Sequence, residues 1–166
     1  MDHKEFLTLI QHNRAIIHKI CQSYCHSPNE RDDLAQDIIY HLWKSASSYS
    51  PGYKFSTWMY RVALNVAISF YRKNRKTDVT VSLTENPLDM EDHTDETINE
   101  EETKRILLQQ FVEELKELDR ALMILYLEDK SYAEIAEIMG ITETNVATKI
   151  SRIKDKLKQR FLNHNK

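Results

Sequence analysis

Apolar residues recur at helical spacing through the first 76 residues of the chain. This spacing predicts three amphipathic helices, because side chains three or four residues apart share one helix face. The three apolar faces consist of Phe6, Ile10, Ile17, Ile20 and Tyr24; then Leu34, Ile38 and Leu42; then Phe55, Trp58, Met59, Val62, Val66 and Phe70. Breaks are expected at Ser27-Pro28, with Asn29 capping the second helix, and at a Pro51-Gly52 turn. Together the helices predict a small bundle of three or four helices.

A second series of helical stripes begins near Lys104. Two helices are expected before residue 131, the second of them capped by Asp119. Their apolar faces consist of Ile106, Leu107, Phe111, Leu115 and Leu118, and of Leu122, Leu125 and Tyr126. With the helices that follow, this half of the chain predicts a four-helix domain.

Residues 131–154 predict two short helices joined by a tight turn. Ser131 is the expected N-cap of the first, with Glu134 as its capping-box partner. Gly140 falls at the reversal, where glycine alone takes a positive φ without steric cost. Thr142 is expected to cap the second helix, whose apolar face consists of Val146, Ile150, Ile153 and Leu157. This pattern is typical of a helix-turn-helix, whose second helix can lie in the DNA major groove. A hairpin used only for packing is the alternative.

Composition agrees with an all-α protein, since the 166 residues include only 2 Gly and 3 Pro. No apolar run is long enough to cross a membrane, and the N-terminus lacks the features of a secretory signal. A cytoplasmic protein without membrane insertion is therefore expected. Cys21 and Cys25 are expected to be free thiols. Together with His18 and His26 they could suggest zinc, but their spacing matches no common structural site, so no metal or other cofactor is expected.

The net charge of −3 is unevenly distributed. Residues 1–76 carry 11 Lys/Arg and 6 Asp/Glu, and residues 104–166 carry 12 and 10, so both ends are basic. Residues 77–103 carry 10 Asp/Glu and no Lys or Arg, and they lack helical periodicity. This segment is predicted to be a disordered acidic linker between two helical domains, 1–76 and 104–166. Clustered cations near 72–76 and 149–160 suit contacts with phosphate.

Both halves resemble the extracytoplasmic-function (ECF) sigma factors of the sigma-70 family. The N-terminal resemblance is carried by RDDLAQDIIYHLWKSASSYSPGYKFSTWMYRVALNVAISFYRK, which is similar to the family's Asp-Leu-x-Gln-Glu/Asp element, Pro-Gly loop and Phe-x-x-Trp-Leu-Tyr-Arg helix. The C-terminal resemblance runs from Leu118 to about Lys158. Two matches in this order and at this spacing are specific. The resemblance implies a non-enzymatic subunit that binds core RNA polymerase, reads promoter DNA near −10 and −35, promotes strand opening and has an anti-sigma factor as partner.

The resemblance assigns an expected role to three sets of residues. The set expected to dock on core polymerase is Asp33, Leu34, Gln36, Asp37 and Trp43. The set expected at the melted −10 element is Ser48, Tyr49, Ser50, Lys54, Trp58, Arg61, Asn65, Arg72 and Lys73. The set expected at the −35 element is Thr144, Asn145, Ala147, Thr148, Lys149, Ser151 and Arg152.

Each set has a simpler interpretation as well. The acidic face near Asp37 is also typical of an ordinary solvated helix. Trp58 can be core, since it lies on an apolar stripe, and Asn65 can be a buried amide bonded to backbone.

Ala147 stands where family members often have Lys or Arg, which removes one expected DNA contact. The acidic linker can be a nucleic-acid mimic in a basic polymerase channel or a plain tether.

Two other functions are disfavoured. A conventional helix-turn-helix regulator needs a ligand-binding N-terminal domain, but residues 1–76 offer no evident pocket chemistry and end in a basic run. An enzyme is disfavoured because the sequence has no Gly-rich phosphate loop, nucleophile elbow or metal-ligand motif.

Overall fold

The protein is all-α, as predicted. A computed structural model describes residues 2–78 and 99–165, with side chains up to residue 75 in the first part. The helices of these two parts are α1 His3–His12, α2 Arg14–Tyr24, α3 Pro28–Lys44, α4 Phe55–Asp78, α5 Glu100–Glu113, α6 Glu117–Leu127, α7 Tyr132–Met139 and α8 Glu143–His164. A single 3₁₀ turn, Ala46–Ser48, follows α3. Most of the predicted linker, residues 79–98, lies outside the described residues, while α5 begins inside its predicted bounds.

The first predicted helix is in fact two helices, α1 and α2, which meet at Asn13. The Asn13 side-chain amide donates to the carbonyl of Leu9 at 2.8 Å. This side-chain bond competes with the backbone hydrogen bonds of a continuous helix, as asparagine side chains often do. The apolar stripe continues across the break, because Phe6 and Ile10 of α1 and Ile17 of α2 are all buried.

Three expected helix boundaries also differ from the structure. α3 is capped by Ser27, whose hydroxyl accepts from the backbone N–H of Glu30 at 3.2 Å, and Pro28 occupies its first position, which suits proline. Asp119 does not cap α6; it lies in the first turn, where its negative charge interacts favourably with the positive end of the helix dipole. Since α5 ends at Glu113, Leu118 belongs to α6 and is about half exposed.

The helix-turn-helix forms as predicted from α7 and α8. The Ser131 hydroxyl accepts from the N–H of Glu134 at 3.1 Å, and Thr142 accepts from that of Asn145 at 3.1 Å. Gly140 has a φ of 70°, and its N–H donates to the carbonyl of Ala136. This left-handed residue ends α7 and redirects the chain into α8.

The two halves of the described chain pack against each other. In the N-terminal half, α2, α3 and α4 contact one another around a core that includes Ile20, Ile38 and Met59. In the C-terminal half, α6, α7 and α8 surround Leu125 and Ile150. Contacts of α2 with α5 and α6, and of α4 with α6 and α7, join the halves.

Candidate nucleic-acid and polymerase interfaces

The loop after α3 and the first turns of α4 line a cavity of about 310 Å³. The Ser48 hydroxyl donates to the carbonyl of Ser45 at 2.6 Å, and the Tyr49 hydroxyl donates to that of Tyr53 at 3.1 Å, so the loop is held by its own bonds. We call this space the loop cavity. Its lining consists of Ser48, Tyr49, Ser50, Tyr53, Thr57, Trp58, Arg61 and Glu137.

Five residues of the expected −10 set therefore meet in one place. Lys54 is the loop residue that does not line the cavity; it is exposed, and its ammonium lies 3.9 Å from a carboxylate oxygen of Glu134 on α7. Three lining residues were missed by the sequence reasoning: Tyr53, Thr57 and Glu137. Tyr53 directly follows the Pro-Gly turn, so its position in the loop was available as a signal, whereas nothing local to Glu137 indicates this contact.

Trp58 both packs in an aromatic cluster and borders the loop cavity. It is partly buried, and its ring lies 5.5 Å from that of Tyr49, 5.5 Å from that of Phe55 and 6.2 Å from that of Phe6. It also lines the loop cavity. The aromatic cluster fixes one part of the ring and leaves another part facing the cavity, where a base could stack.

The loop cavity has the chemistry to hold a nucleotide. Its volume lies at the lower end of the range of small-molecule pockets. Aromatic rings offer stacking surfaces, serine hydroxyls both donate and accept, and the exposed Arg61 offers a cation for phosphate or a base edge.

A second cavity, of about 430 Å³, lies between α3 and α4. It brings together Asp37, from the expected polymerase set, with Asn65 and Lys73, from the expected −10 set. Asn65 is exposed, so its interpretation as a buried amide is wrong. Arg72 lies apart: its Nε donates to a carboxylate oxygen of Glu117 on α6 at 2.9 Å. That hydrogen bond lowers the pKa of the Glu117 carboxyl.

The exposed face of α3 carries most of the expected polymerase set. Asp33, Gln36 and Asp37 are exposed. Leu34 is not available as an apolar anchor, because its side chain is fully buried in the bundle. The apolar part of this face comes from three other side chains: Ile39 is 44 % exposed, Tyr40 59 % and Trp43 46 %.

Trp43 is held in place on this face by α1. Its ring stacks on that of His3 at a centroid distance of 4.7 Å and makes an edge contact with that of Phe6 at 5.8 Å. An oriented, half-exposed tryptophan resembles the anchors that concentrate binding energy at protein interfaces.

The solvent face of α8 carries the expected −35 set. Ala147 is half-buried, and the exposed members are Thr144, Asn145, Thr148, Lys149, Ser151 and Arg152. Lys154 points elsewhere, since its ammonium lies 4.3 Å from the ring centroid of Tyr126 on α6. Thr142 starts α8 two residues before this face, so the face lies at the N-terminal part of the helix, as in proteins that read the major groove.

The two cysteines are buried and unpaired with each other. Burial raises the pKa of the Cys21 thiol to about 11 and that of Cys25 to about 12. Neutral, buried thiols are poor nucleophiles and poor metal ligands. Within the described ranges, no three His, Cys, Asp or Glu side chains are grouped so that they could hold a metal ion. None of the described helices is both long and apolar enough to span a membrane.

Known proteins agree with this arrangement of two helical halves. The family model Sigma-70 region 2 matches residues 9–77, and Sigma-70, region 4 matches residues 105–157. The RNA polymerase sigma factor YlaC of Bacillus subtilis is 30% identical over 76% of this chain and 75% of its own length. The ECF RNA polymerase sigma factor SigW of the same organism is 28% identical over 96% of this chain and 90% of its own length.

A solved structure has the same fold as this chain. The sigma factor RpoE of Bartonella quintana, in complex with the anti-sigma factor NepR, superposes with a TM-score of 0.65 and 19% identity, over 94% of this chain and 96% of that one. The class of protein defined by fold and sequence is thus a two-region transcription initiation factor. The chain belongs to the sigma-70 family of RNA polymerase sigma factors and is of the ECF type. It is a promoter-recognising, non-enzymatic subunit that works with core RNA polymerase.

Proposed function

We propose that three separate surfaces of this sigma factor bind core polymerase, the melted −10 strand and the −35 element. The exposed face of α3 docks on core polymerase through Asp33, Gln36, Asp37 and Trp43. The loop cavity, with Asn65, Lys73 and Arg72 further along α4, receives the melted −10 strand. The solvent face of α8, from Thr144 to Arg152, reads the −35 element in duplex form.

The loop cavity is the observation that carries this proposal. Aromatic, hydroxyl and cationic groups from the loop and from α4 converge on a space of about 310 Å³. Stacking of an unpaired base on an aromatic side chain contributes about 1–3 kcal/mol. The cavity therefore favours an extruded base over a paired one, which would stabilise the open strand.

The proposal also assigns the halves and their partners. Residues 1–76 act as the −10 and polymerase-binding domain, 104–166 as the −35 domain and 77–103 as their linker; the family matches at 9–77 and 105–157 support this division. An anti-sigma factor is a proposed regulator, supported by the likeness in fold to a sigma factor solved with one. The proposed compartment is the cytoplasm, where bacterial polymerase works.

Reconstituted transcription with purified core polymerase tests the cavity. Tyr49→Ala removes a lining ring and should impair promoter opening while leaving duplex −35 contacts in place. Tyr49→Phe is the matched control, because it keeps the stacking surface and loses only the bond to the Tyr53 carbonyl. Normal opening with Tyr49→Ala would contradict the proposal.

A pull-down with core polymerase tests the α3 face. Asp37→Arg reverses an exposed charge and should weaken binding without unfolding the bundle. Glu101→Arg, at an exposed acid of α5, makes the same charge change on the other half. Equal affinity of the two variants would count against docking at α3.

A further inference from the structure

A groove of about 630 Å³ lies between the first two helices and α3, separate from the two cavities described above. We call it the α2–α3 groove. Its floor is apolar, because Ile10 and Ile17 are buried there and α3 adds Ala35 and Ile39. Its volume falls within the range of small-molecule sites. The α2–α3 groove therefore offers room for an apolar chain.

Polar side chains lie at one end of this groove. Only residues 25–27 separate α2 from α3, so the two helices run in opposite directions, and the end of α2 lies beside the start of α3. The side chains that line the groove at this end are His18, Cys21, Arg31 and Asp32, whereas Ile39 lines it further along α3. The groove is thus polar where α3 begins and apolar beyond, which suits a molecule with a polar head and an apolar chain.

Arg31 brings a cation to the polar end without a complete set of partners. Its Nε atom is buried, and no acceptor for this N–H lies among the described residues. Buried donors nearly always have a partner in folded proteins, so this one calls for an explanation. Arg31 is also the fourth residue of α3, where its charge meets the positive end of the helix dipole unfavourably. An anion beside the guanidinium would offset both effects.

The other charges of the groove also favour an anion. Arg14 and Arg31 line it together with His18, against the single carboxylate of Asp32. Burial raises the pKa of the Cys21 thiol, and the charge of Arg31 partly opposes this effect, so the guanidinium acts on this wall of the groove. A planar guanidinium can donate two parallel hydrogen bonds to one carboxylate. Charge complementarity therefore selects a carboxylate head.

The size of the groove favours a small molecule over a folded partner. Its lining along α3 runs from Arg31 to Ile39, which is about 12 Å of helix. Eleven residues line it altogether, whereas a standard protein interface takes about 20–30 residues from each side. A single chain with one charged end matches both the length and the polarity of the groove.

We propose that the α2–α3 groove binds a monomeric carboxylate with an unbranched apolar chain, of the fatty-acid class. The carboxylate pairs with Arg31 beside His18, and the chain lies over Ile17 and Ala35 toward Ile39. Since Ile39 also belongs to the exposed apolar part of α3, the ligand lies next to the surface proposed to dock on core polymerase. The site does not depend on the roles proposed for the loop cavity or for α8.

Calorimetric titration of the full chain with dodecanoate, below the concentration at which it forms micelles, tests the site. One site is expected, and dodecylammonium, which has the same chain and the opposite charge, should not occupy it. Arg31→Gln removes the cation and should weaken dodecanoate binding about tenfold or more. Arg105→Gln makes the same charge change at an exposed residue of α5 and should leave the affinity unchanged. Equal affinities of these two variants, or no binding by the wild type, would overturn the inference.

Two further variants test the head and the chain separately. Asp32→Asn removes the carboxylate that lines the groove and should tighten dodecanoate binding about twofold to threefold. Ala35→Leu fills the floor with a residue that suits a helix, and it should abolish dodecanoate binding while the circular dichroism stays that of the wild type. Unchanged binding by a folded Ala35→Leu variant would mean that the chain lies elsewhere, which contradicts the inference.

Other occupants of the groove give different results. Sedimentation of the chain alone detects a second copy, pelleting with anionic phospholipid vesicles detects a membrane surface, and titration with an amphipathic peptide of glutamate and leucine detects an acidic helix. If Ala35→Leu abolishes one of these interactions while dodecanoate does not bind the wild type, the groove serves a macromolecule and the inference is wrong. That failure would leave the Tyr49→Ala and Asp37→Arg tests of the proposed function unaffected.

Discussion

Replacing Arg120 should destabilise the protein far more than replacing an exposed arginine. Arg120→Ala leaves three backbone carbonyls without their donor: that of Ser23 on α2, that of Glu113 at the end of α5 and that of Leu115 in the turn that follows. The flanking rings of Tyr24 and Tyr71 also lose the cation between them. The side chain is buried, and a water molecule that entered the polar cavity left behind has two O–H donors, so it would satisfy at most two of the three carbonyls.

The magnitude follows from two opposing effects. Hydrogen bonds from a charged donor contribute about 1.5–3 kcal/mol each. Burial of a guanidinium costs several kcal/mol, which its removal recovers in part. The expected net loss for Arg120→Ala is about 2–4 kcal/mol in the free energy of unfolding. Arg120→Lys keeps the charge but cannot reach three carbonyls with one ammonium, so about half of that loss is expected.

Urea unfolding followed by circular dichroism measures these losses. The dependence of the unfolding free energy on urea concentration should be the same in each variant, because a changed slope would mean that a different part of the chain unfolds. Arg160→Ala is the matched control. Arg160 makes two-pronged bonds to Glu114 at 2.8 to 3.1 Å, but both side chains are about half exposed, and such pairs contribute less than about 1 kcal/mol. Equal losses for Arg120→Ala and Arg160→Ala would refute the conclusion that the buried hydrogen bonds of Arg120 hold the two halves of the chain together.

Three further outcomes are expected. Asn65→Ala should slow open-complex formation on duplex promoters; a defect that persists on a pre-melted −10 region indicates base reading, and a footprint lost over −35 would contradict the role. Arg152→Ala should weaken −35 binding, by about 1–3 kcal/mol if it contacts a base edge, and with a smaller salt dependence if it contacts only phosphate; an unchanged −35 footprint would exclude both. The lowered pKa of Glu117 means that its bond to Arg72 contributes stability above the ordinary carboxyl pKa and loses it as pH falls through the lowered value. Glu117→Gln should therefore reduce the acid sensitivity of unfolding, and an unchanged pH profile would argue against this pair.

The helix-turn-helix could be predicted closely because its signals are local. Ser131, Gly140 and Thr142 each act on the backbone within four residues, and the structure shows each cap or turn as expected. The break at Asn13 was missed, because an apolar stripe that continues across a kink looks the same as one on a straight helix.

The grouping of the candidate −10 residues was predictable only where those residues lie close along the chain. The loop residues Ser48 to Ser50 and Trp58 share one cavity, as a single loop and its following helix allow. Helical spacing placed Leu34 on the apolar face with Ile38 and Leu42, and all three are buried. Its expected role as a docking anchor came from the family resemblance alone. The contacts of Glu137 and Arg120 with the N-terminal half depend on how two halves dock, and no local pattern encodes that.

Phe6 connects two surfaces that are proposed to bind different partners. Its ring contacts that of Trp43 on the polymerase side at 5.8 Å and that of Trp58 beside the loop cavity at 6.2 Å. A docking event that displaces Trp43 changes the packing of Phe6, and hence the support of Trp58. Any such coupling is reciprocal by thermodynamic linkage, so a strand held in the cavity would change the affinity for polymerase by the same factor by which polymerase changes the affinity for the strand. The first helix thus offers a route for communication between the two surfaces, although none of its residues lines the loop cavity.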